Sequence, residues 1–146
     1  MAGEPALFPH LIVDDAAAAI DFYGKAFGAE ELDRVPGPDG RLIHADIRVN
    51  GSIIMLNDDF PEMSGGSTTP RALGGSPVTI HLTVPDADQA FDRAVDAGAT
   101  VAQPLEDQFW GDRYGVLVDP FGHRWSIGQH IRDVSLDEIR EAASRM

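Results

Sequence analysis

Hydrophobic and polar residues alternate along several short segments of this chain, and these segments form two similar series. Each series opens with an apolar run, at residues 6–13 and 78–84. Runs of this length are too short for a helix and predict strands. After each run the apolar residues take helical spacing, and the two stripes are Ala16, Ala19, Ile20, Tyr23 and Phe27, then Ala90, Phe91, Ala94 and Val95.

Capping residues mark both ends of the two predicted helices. Asp14 or Asp15 can cap the first helix, and Asp86 can cap the second, because a short side-chain oxygen accepts a hydrogen bond from the first helical turn. Glycine commonly follows the last turn, and here Gly28 and Gly98 take that place.

Three further strand-like segments follow each helix, at 30–35, 41–49 and 52–57 and again at 100–103, 113–118 and 123–128. Asn50-Gly51 is a strong signal for a two-residue hairpin turn. The string DPFG, from Asp119, has the residue preferences of a type I turn. The predicted order of elements is therefore β-α-β-β-β, twice.

The two series also share sequence. From His10 the chain reads HLIVDDAAAAIDFYGKA, and from His81, 71 residues later, it reads HLTVPDADQAFDRAVDA. Such a repeat predicts two similar modules related by a pseudo-two-fold axis, and ligand sites favour the crevice between such halves. We expect a first module at 1–57, a linker at 58–76, a second module at 77–130 and a C-terminal tail helix within 131–146.

Period-two alternation assigns the strand side chains to two faces. One face is apolar and is expected to pack against the helices; it includes Leu11, Val13, Ile43, Ala45, Ile47, Val49, Leu82, Val116, Val118, Trp125 and Ile127. The other face is mixed and includes His10, His44, Asp46, Asn57, His81, Arg113, Gly115, Leu117, Ser126 and His130. A two-residue turn at Asn50-Gly51 places Asp46 opposite Met55 on the mixed face. This face either meets water or lines a cup shared by both half-sheets, and alternation does not choose between the two.

The composition of the chain makes some classes of function more plausible than others. The chain has 146 residues, of which 43% are hydrophobic, enough for one compact domain. Its formal charge of −13 disfavours nucleic acid and favours a neutral or cationic ligand. The absence of cysteine excludes disulfides and thiolate chemistry. No secretory leader and no apolar run near the ~18 residues of a membrane span are found, so we expect a cytoplasmic protein without a membrane partner.

Longer strings of the sequence resemble a known family: AIDFYGKAFGAE, DGRLIHADIRVNGSIIMLND, LGGSP, DQFWGDRYGVLVDPFGHRWSIGQH and IRDVSLDEI. Together with the doubled β-α-β-β-β order, they resemble the vicinal-oxygen-chelate superfamily over nearly the whole chain. The resemblance is greatest to the PhnB-like members of its glyoxalase/bleomycin-resistance branch. It implies an α+β fold of two tandem βαβββ modules whose curved mixed sheets form a cup, in a homodimer that in some members swaps modules between chains.

Metal-dependent members of that superfamily, such as glyoxalase I, hold a divalent ion with His and Glu from the first and last strands of the modules. The resemblance carries these ligand positions to Phe8, Met55, Thr79 and Ser126. None of the four offers the imidazole or carboxylate that such an ion requires, so we expect no cofactor and no metal at the usual site. An unusual divalent site remains an alternative, with His10 and His81 joined by Asp46, His44 or His130.

Phe109, Trp110 and Arg113 form a second group of candidate residues. They could stack on a planar ligand and bind its carboxylate or phosphate. Alternatively, Trp110 closes the edge of the module and Arg113 pairs with a nearby acid. The predicted ligand-binding residues are His10, His44, Asp46, His81, Phe109, Trp110, Arg113 and His130.

These features favour a glyoxalase-like protein that binds a small molecule in a polar and aromatic cup, for instance to sequester a drug. One alternative is a metal-dependent lyase, isomerase or dioxygenase with displaced His and Asp ligands. Another is a non-catalytic dimerisation or regulatory module. His44 and Asp46 could form an acid/base couple, but no feature of the sequence places a substrate near them, so catalytic residues are not assigned. The fold hosts many chemistries and does not name a substrate.

Overall fold

The computed structural model describes residues 6–146, so residues 1–5 of the predicted first module lie outside the described residues. The first half contains β1 (His10–Val13), α1 (Ala16–Phe27), β2 (Glu30–Pro36), β3 (Leu42–Val49) and β4 (Ser52–Asp58). Two single-turn helices follow, α2 (Pro61–Ser64) and α3 (Pro70–Leu73). The second half contains β5 (Thr79–Thr83), α4 (Ala87–Ala97), β6 (Thr100–Asp107), β7 (Asp112–Val118) and β8 (Arg124–His130), and α5 (Leu136–Ser144) ends the chain.

The strands form two four-stranded mixed sheets with the same topology, β1-β4-β3-β2 and β5-β8-β7-β6. In each sheet the first strand pairs in parallel with the last, and the other pairs are antiparallel. Both sheets are curved but not closed. The α+β fold of two tandem βαβββ modules is therefore confirmed. Within residues 6–146, no helix has the length and apolar character needed to cross a membrane.

Local sequence signals produce the predicted helix ends. The carboxylate of Asp15 accepts the backbone N–H of Ala18 at 3.0 Å, and that of Asp86 accepts the N–H of Gln89 at 3.1 Å. Gly28 ends α1 with a φ of 70°, a left-handed conformation that glycine adopts without strain. The capping residues of α1 and α4 are therefore as predicted.

A second capping contact comes from the end of the last strand in each module. The Asp58 carboxylate accepts the N–H of Ala16 at 2.7 Å, and the Gln129 side-chain oxygen accepts the N–H of Ala87 at 2.9 Å. These contacts connect residues 42 positions apart in both modules. Each helix start is thus tied to the fourth strand of its own sheet, a link that local patterns do not indicate.

One hydrophobic core runs through both modules. Side chains of α1 extend beyond their own sheet: the rings of Tyr23 and Phe27 lie 5.3 and 4.5 Å from that of Trp125 in β8, between ring centroids. Trp125 is fully buried. Because α1 also packs along α4, the helices of the two modules and the second sheet share a single apolar layer.

A buried carboxylate joins the modules inside this layer. Asp119, at 4% exposure, accepts hydrogen bonds from the Tyr23 hydroxyl at 2.5 Å and the Trp125 indole at 2.9 Å. It also accepts the N–H groups of Phe121 and His123, at 2.9 and 3.0 Å. Burial, and next the Asp119 charge, raise the pKa of Tyr23 well above its usual value. The phenol therefore stays protonated and remains a donor.

The outer strand of each sheet meets the hairpin of the other module. The Asn50 amide donates to the Thr83 carbonyl of β5 at 3.2 Å, and Nε2 of His123 lies 2.9 Å from the Ile12 carbonyl of β1. In the helix layer, Arg93 of α4 donates to the Lys25 carbonyl of α1 at 2.7 Å. Backbone groups that would be unpaired at the sheet edges are thus used to join the modules.

The predicted faces of β7 are wrong. Alternation predicted that Val116 faces the helices and Gly115 the opposite side. In the structure, a Cβ on Gly115 would lie 2.7 Å from Cε2 of Phe91 in α4. The neighbouring Tyr114 instead stacks on His81, with ring centroids 6.0 Å apart. Gly115 therefore faces the helices, and Val116 lies on the other face.

The length of one hairpin explains this exchange. In the first module two residues separate the paired Val49 and Ser52. In the second, the N–H of Asp119 donates to the His123 carbonyl at 2.9 Å, and three residues, 120–122, lie between them. The 71-residue spacing between equivalent positions of the two modules is therefore one residue shorter in β7. A shift of one residue exchanges the two faces of a strand.

The start of β3 also departs from the predicted alternation. Leu42 takes the buried position at 4% exposure, while Ile43 is 53% exposed and lies near Ile12 and Asn57 on the other face. The N–H of Leu42 donates to the Asp58 carboxylate at 2.6 Å, and the pairing of β2 with β3 shifts at this point. This local irregularity turns Ile43 away from the helices.

Replacing Tyr23 tests the link between the modules. Tyr23→Phe removes one hydrogen bond to a buried carboxylate, and we expect the free energy of unfolding to fall by ~1.5–3 kcal/mol. Tyr114→Phe removes a hydroxyl outside this network and should change it by less than ~0.5 kcal/mol. Urea denaturation of both variants measures the difference, and equal effects would contradict a special role for the Tyr23–Asp119 contact.

Replacing Gly115 tests the face assignment of β7. Gly115→Ala places a methyl group against Phe91 and the β6 backbone and should destabilise the fold by ~1–3 kcal/mol. Gly24→Ala is the matched control, because Gly24 lies within α1 and a Cβ there would have only the Ala29 carbonyl oxygen as a near neighbour, at 3.6 Å. The control should stabilise by ~0.5–1 kcal/mol. A neutral Gly115→Ala in thermal denaturation would contradict the assigned face.

Candidate functional site

Most polar candidates of the first module lie together on the face of its sheet that points away from the helices, which we call the first-sheet surface. The strand register places His10 opposite Met55, Met55 opposite Asp46, and Asp46 opposite Asp33. The pairing of Asp46 with Met55, predicted from the Asn50-Gly51 turn, is confirmed. One residue from each of the four strands thus forms a row across the sheet.

Hydrogen bonds connect this row to its neighbours. Nε2 of His10 contacts Oδ1 of Asn57, and Nε2 of His44 lies 2.9 Å from Oδ1 of Asp46. The rings of His10 and His44 lie edge to face, with 6.4 Å between centroids. The structure therefore brings together His10, His44 and Asp46, three of the predicted ligand-binding residues.

Sequence reasoning missed Asp33, which also belongs to this surface. β2 was predicted as a strand, but its alternation does not reveal the irregular pairing with β3. Glu31 pairs with Ile47 and Asp33 with Asp46, so Leu32 is an extra residue in the ladder. Such a bulge changes the direction of the side chains that follow it. No pattern in the sequence marks this position.

A cavity of about 540 Å³ adjoins the first-sheet surface. The strands provide one wall and the linker helix α2 the other, and the lining includes Ile12, Gly37, Ile43, Asn57, Phe60 and Met63. Most of the exposed lining is apolar, with the amide of Asn57 as a polar contact shared with the neighbouring His10. This combination of apolar walls and few polar groups is typical of small-molecule sites.

Arg41 is the positively charged residue in the lining of this cavity, which also includes Asp39 and Glu62. Its guanidinium carbon lies 4.2 Å from the centre of the Phe60 ring, and its nitrogens contact the carboxylates of Asp39 and Glu62. Through these hydrogen bonds Arg41 holds the pKa of both acids below the usual value. Because two carboxylates already neutralise Arg41, the cavity has no free positive charge from this residue.

The corresponding face of the second sheet is aromatic. His81 is held by Ser126, with Nδ1 2.7 Å from Oγ, and its ring is stacked on Tyr114 at an interplanar angle of 19°. Gly128 makes room for the imidazole, since a Cβ there would lie 2.8 Å from Cε1 of His81. His81 is thus fixed in position on the exposed face of this sheet.

Phe109 and Trp110 extend this group. The ring of Trp110 lies 5.6 Å from Tyr114 and 5.1 Å from Phe109, both edge to face. Their loop is anchored by Gly111, whose carbonyl accepts the N–H groups of Ile131 and Arg132. His81, Tyr114, Trp110 and Phe109 form what we call the aromatic row.

The structure separates Arg113 from these aromatic residues. Its guanidinium donates two hydrogen bonds of 3.0 Å to Asp88, in the first turn of α4, and one of 2.9 Å to Asp107. These contacts raise the pKa of Arg113, with Asp88 as the largest cause. Arg113 lies on the helix side because of the face exchange in β7, and an acid pair replaces the predicted ligand contact.

His130 lies at the end of β8, beside the tail. Its Nε2 contacts Asp133 at 2.7 Å and its Nδ1 contacts Asp112 at 3.4 Å. Asp133, and then Asp112, raise the pKa of His130. Both ring nitrogens are engaged by different carboxylates, so His130 does not join the predicted group with His10 and His81.

A cavity of about 550 Å³ lies between the two modules. Its lining comes from both halves and includes Phe8, Pro9, Ser52, Ile53, His81 and Thr83. Because Phe8 lies just before β1 and Ile53 lies near the start of β4, this cavity adjoins the first-sheet surface at the end opposite to the 540 Å³ cavity. His81 is the predicted residue that lines it.

The usual metal positions of the superfamily do not fit a divalent ion here. Phe8, Met55 and Thr79 carry no imidazole or carboxylate, and the Ser126 hydroxyl is 2% exposed and bound to His81. The alternative group of His10 and His81 with a third ligand is not formed. Among residues 6–146, the one cluster with metal-binding spacing consists of Asp33, His44 and Asp46.

Comparison with known proteins agrees with this architecture. The Glyoxalase/Bleomycin resistance protein/Dioxygenase superfamily matches residues 6–127. The protein Mb0911c of Mycobacterium bovis is 68% identical over 142 residues, covering 97% of this chain and 93% of the relative. TioX from Micromonospora sp. ML1 has a solved structure with a TM-score of 0.67 and 31% identity, covering 88% of this chain and 100% of TioX.

The resemblance to PhnB-like proteins is also found at the level of structure. The PhnB protein of Bacillus cereus superposes with a TM-score of 0.64, covering 86% of this chain and 99% of that protein. At 19% identity this likeness shows the fold alone. The superfamily match, by contrast, covers both modules from the first described residue to Ile127. This chain therefore belongs to the Glyoxalase/Bleomycin resistance protein/Dioxygenase superfamily.

Proposed function

We propose that this protein binds a small molecule on the first-sheet surface, in a cup with polar and aromatic walls and without the usual metal of the superfamily. The observation that carries this proposal is the cavity of about 540 Å³ beside His10, Asn57 and His44. Its volume lies within the ~300–1,000 Å³ typical of ligand pockets. The polar row provides the hydrogen-bonding groups that would orient the ligand.

The charges around the site favour a neutral or cationic ligand. Asp33 and Asp46 lie on the first-sheet surface, and Arg41 at the rim is paired with two carboxylates. The whole chain has a formal charge of −13, which also attracts cations. A planar cation with an apolar body would match both the carboxylates of Asp33 and Asp46 and the apolar walls of the 540 Å³ cavity.

Homodimerisation would complete the cup. The apolar side chains of Leu7 and Val78, which precede β1 and β5, are 91% and 64% exposed in the single chain. Exposed apolar residues at the start of the outer strands support contact with a second copy. In this arrangement the aromatic row of one chain would face the first-sheet surface of its partner.

Sequestration of a drug-like compound is one form of this function. Reversible binding requires shape, apolar contact and a few polar groups, and the first-sheet surface has all three. The superfamily includes bleomycin resistance proteins, which makes drug binding a function to test in this chain.

Dye binding tests the proposed ligand class. Acridine orange, a planar cation, should bind saturably, and the anionic dye 1-anilinonaphthalene-8-sulfonate should bind more weakly. Ile43→Lys places a positive charge on the cavity wall and should weaken acridine orange binding ~10-fold or more, equivalent to ~1.4 kcal/mol. Fluorescence titration measures both dyes.

Val101→Lys is the matched control for this substitution, because Val101 is also an exposed apolar strand residue but lies on β6. It should leave dye binding unchanged. Trp110→Ala should weaken binding if the aromatic row forms part of the cup. Failure of both dyes to bind, or equal effects of the two lysine variants, would favour the alternative of a non-catalytic dimerisation module.

Light scattering coupled to size-exclusion chromatography tests the dimer. We expect a mass twice that of one chain at micromolar concentration. Leu7→Asp with Val78→Asp should shift the population towards the single chain, because each change places a charge in an apolar contact. A single-chain mass for the unaltered protein would disprove the dimer and leave a cup built from one chain.

A further inference from the structure

We propose that Asp33, His44 and Asp46 form a binding site for a divalent transition-metal ion, at a place in the fold different from the usual metal site of the superfamily. One ligand atom from each residue lies within 4.8 Å of the other two. The site goes beyond the proposed function, because metal binding here requires no organic ligand and no second chain.

The fold places the three donors together through strand pairing. His44 and Asp46 are two residues apart on β3 and therefore share a face. Asp33 reaches the same face because the bulge at Leu32 sets it opposite Asp46. Without the extra residue, Leu32 itself would lie opposite Asp46. Bulges of this kind are frequent beside functional sites, where they redirect a side chain.

The carboxylates of Asp33 and Asp46 lie opposite each other, and a cation would balance their negative charges. Like charges directly opposite each other on neighbouring strands destabilise a sheet. Among the described residues, no Lys or Arg nitrogen lies within the 4.0 Å ion-pair distance of Asp33 or Asp46. The nearby arginines are engaged elsewhere, Arg34 with Glu31 and Arg48 with Glu30. A divalent ion would balance both carboxylates at once.

The donor set fits a first-row transition metal. Two carboxylates and one imidazole suit Mn²⁺, Fe²⁺, Co²⁺ or Zn²⁺, which bind such donors at about 2.0–2.2 Å. Contraction around an ion would require shifts of the side chains and not of the strands. His10, whose ring lies 6.4 Å from that of His44, is adjacent on the same surface. The remaining coordination positions would face the first-sheet surface and be open to water or a ligand.

Metal titration of the whole protein tests this site. The protein, first dialysed against EDTA, should bind one equivalent of Co²⁺ per chain in calorimetry, with visible absorption bands from the bound ion. Asp33→Asn, His44→Gln and Asp46→Asn should each weaken Co²⁺ binding by more than the ~10–100-fold that outer-shell residues contribute. Circular dichroism verifies that each variant is folded.

His130→Gln is the matched control, since His130 also contacts two carboxylates but through opposite ring nitrogens. It should leave Co²⁺ binding unchanged. Asp33→Asn should also raise the melting temperature of the metal-free protein, because it removes the repulsion with Asp46. Absence of saturable binding, or binding that the three site variants leave intact, would overturn the metal site. Dye binding by EDTA-treated protein tests the proposed function separately.

Discussion

The buried carboxylate of Asp119 is the constraint on which the arrangement of the two modules depends. A charge removed from water is costly unless its hydrogen-bonding capacity is satisfied. Here the four donors come from α1, from β8 and from the backbone of one hairpin. Because α1 belongs to the first module and the hairpin to the second, any relative movement of the modules would leave this charge with fewer donors. The core around Trp125 adds apolar burial to the same contact.

The same hairpin also decides which side chains of β7 face away from the helices. Its additional residue displaces β7 by one position, so Tyr114 and not Arg113 reaches the face that carries His81. In the first module the shorter turn keeps His44 and Asp46 on the corresponding face. Two modules of common sequence and topology therefore present different surfaces, one polar and one aromatic. The additional residue in the hairpin therefore contributes to this chemical difference, together with the different side chains of the two modules.

Features that depend on neighbouring residues could be predicted from the sequence. The helix caps at Asp15 and Asp86, the two-residue turn at Asn50-Gly51 and the order of elements all follow from local propensity and spacing. The faces of β7 and the position of Asp33 could not, because each depends on a shift of one residue between paired strands. Alternation has a period of two, so a single unrecognised insertion exchanges both faces without changing the visible pattern. Alternation placed His10, His44 and Asp46 on the correct face of the first sheet, while it did not indicate Asp33 and placed Arg113 on the wrong face of the second.

The register of the strands also explains a difference between neighbouring positions. The usual metal-ligand positions of the superfamily carry no metal-binding side chains here, although several such side chains lie on the same sheet. Met55 occupies one of those positions, and its partners across the sheet are His10 on one side and Asp46 on the other. Donors therefore lie on the strands next to the usual position. A curved sheet presents a continuous surface, so groups on adjacent strands are separated by only about 5 Å. On this face the group of polar donors is therefore formed by residues of β2 and β3, and the usual position on β4 is occupied by Met55.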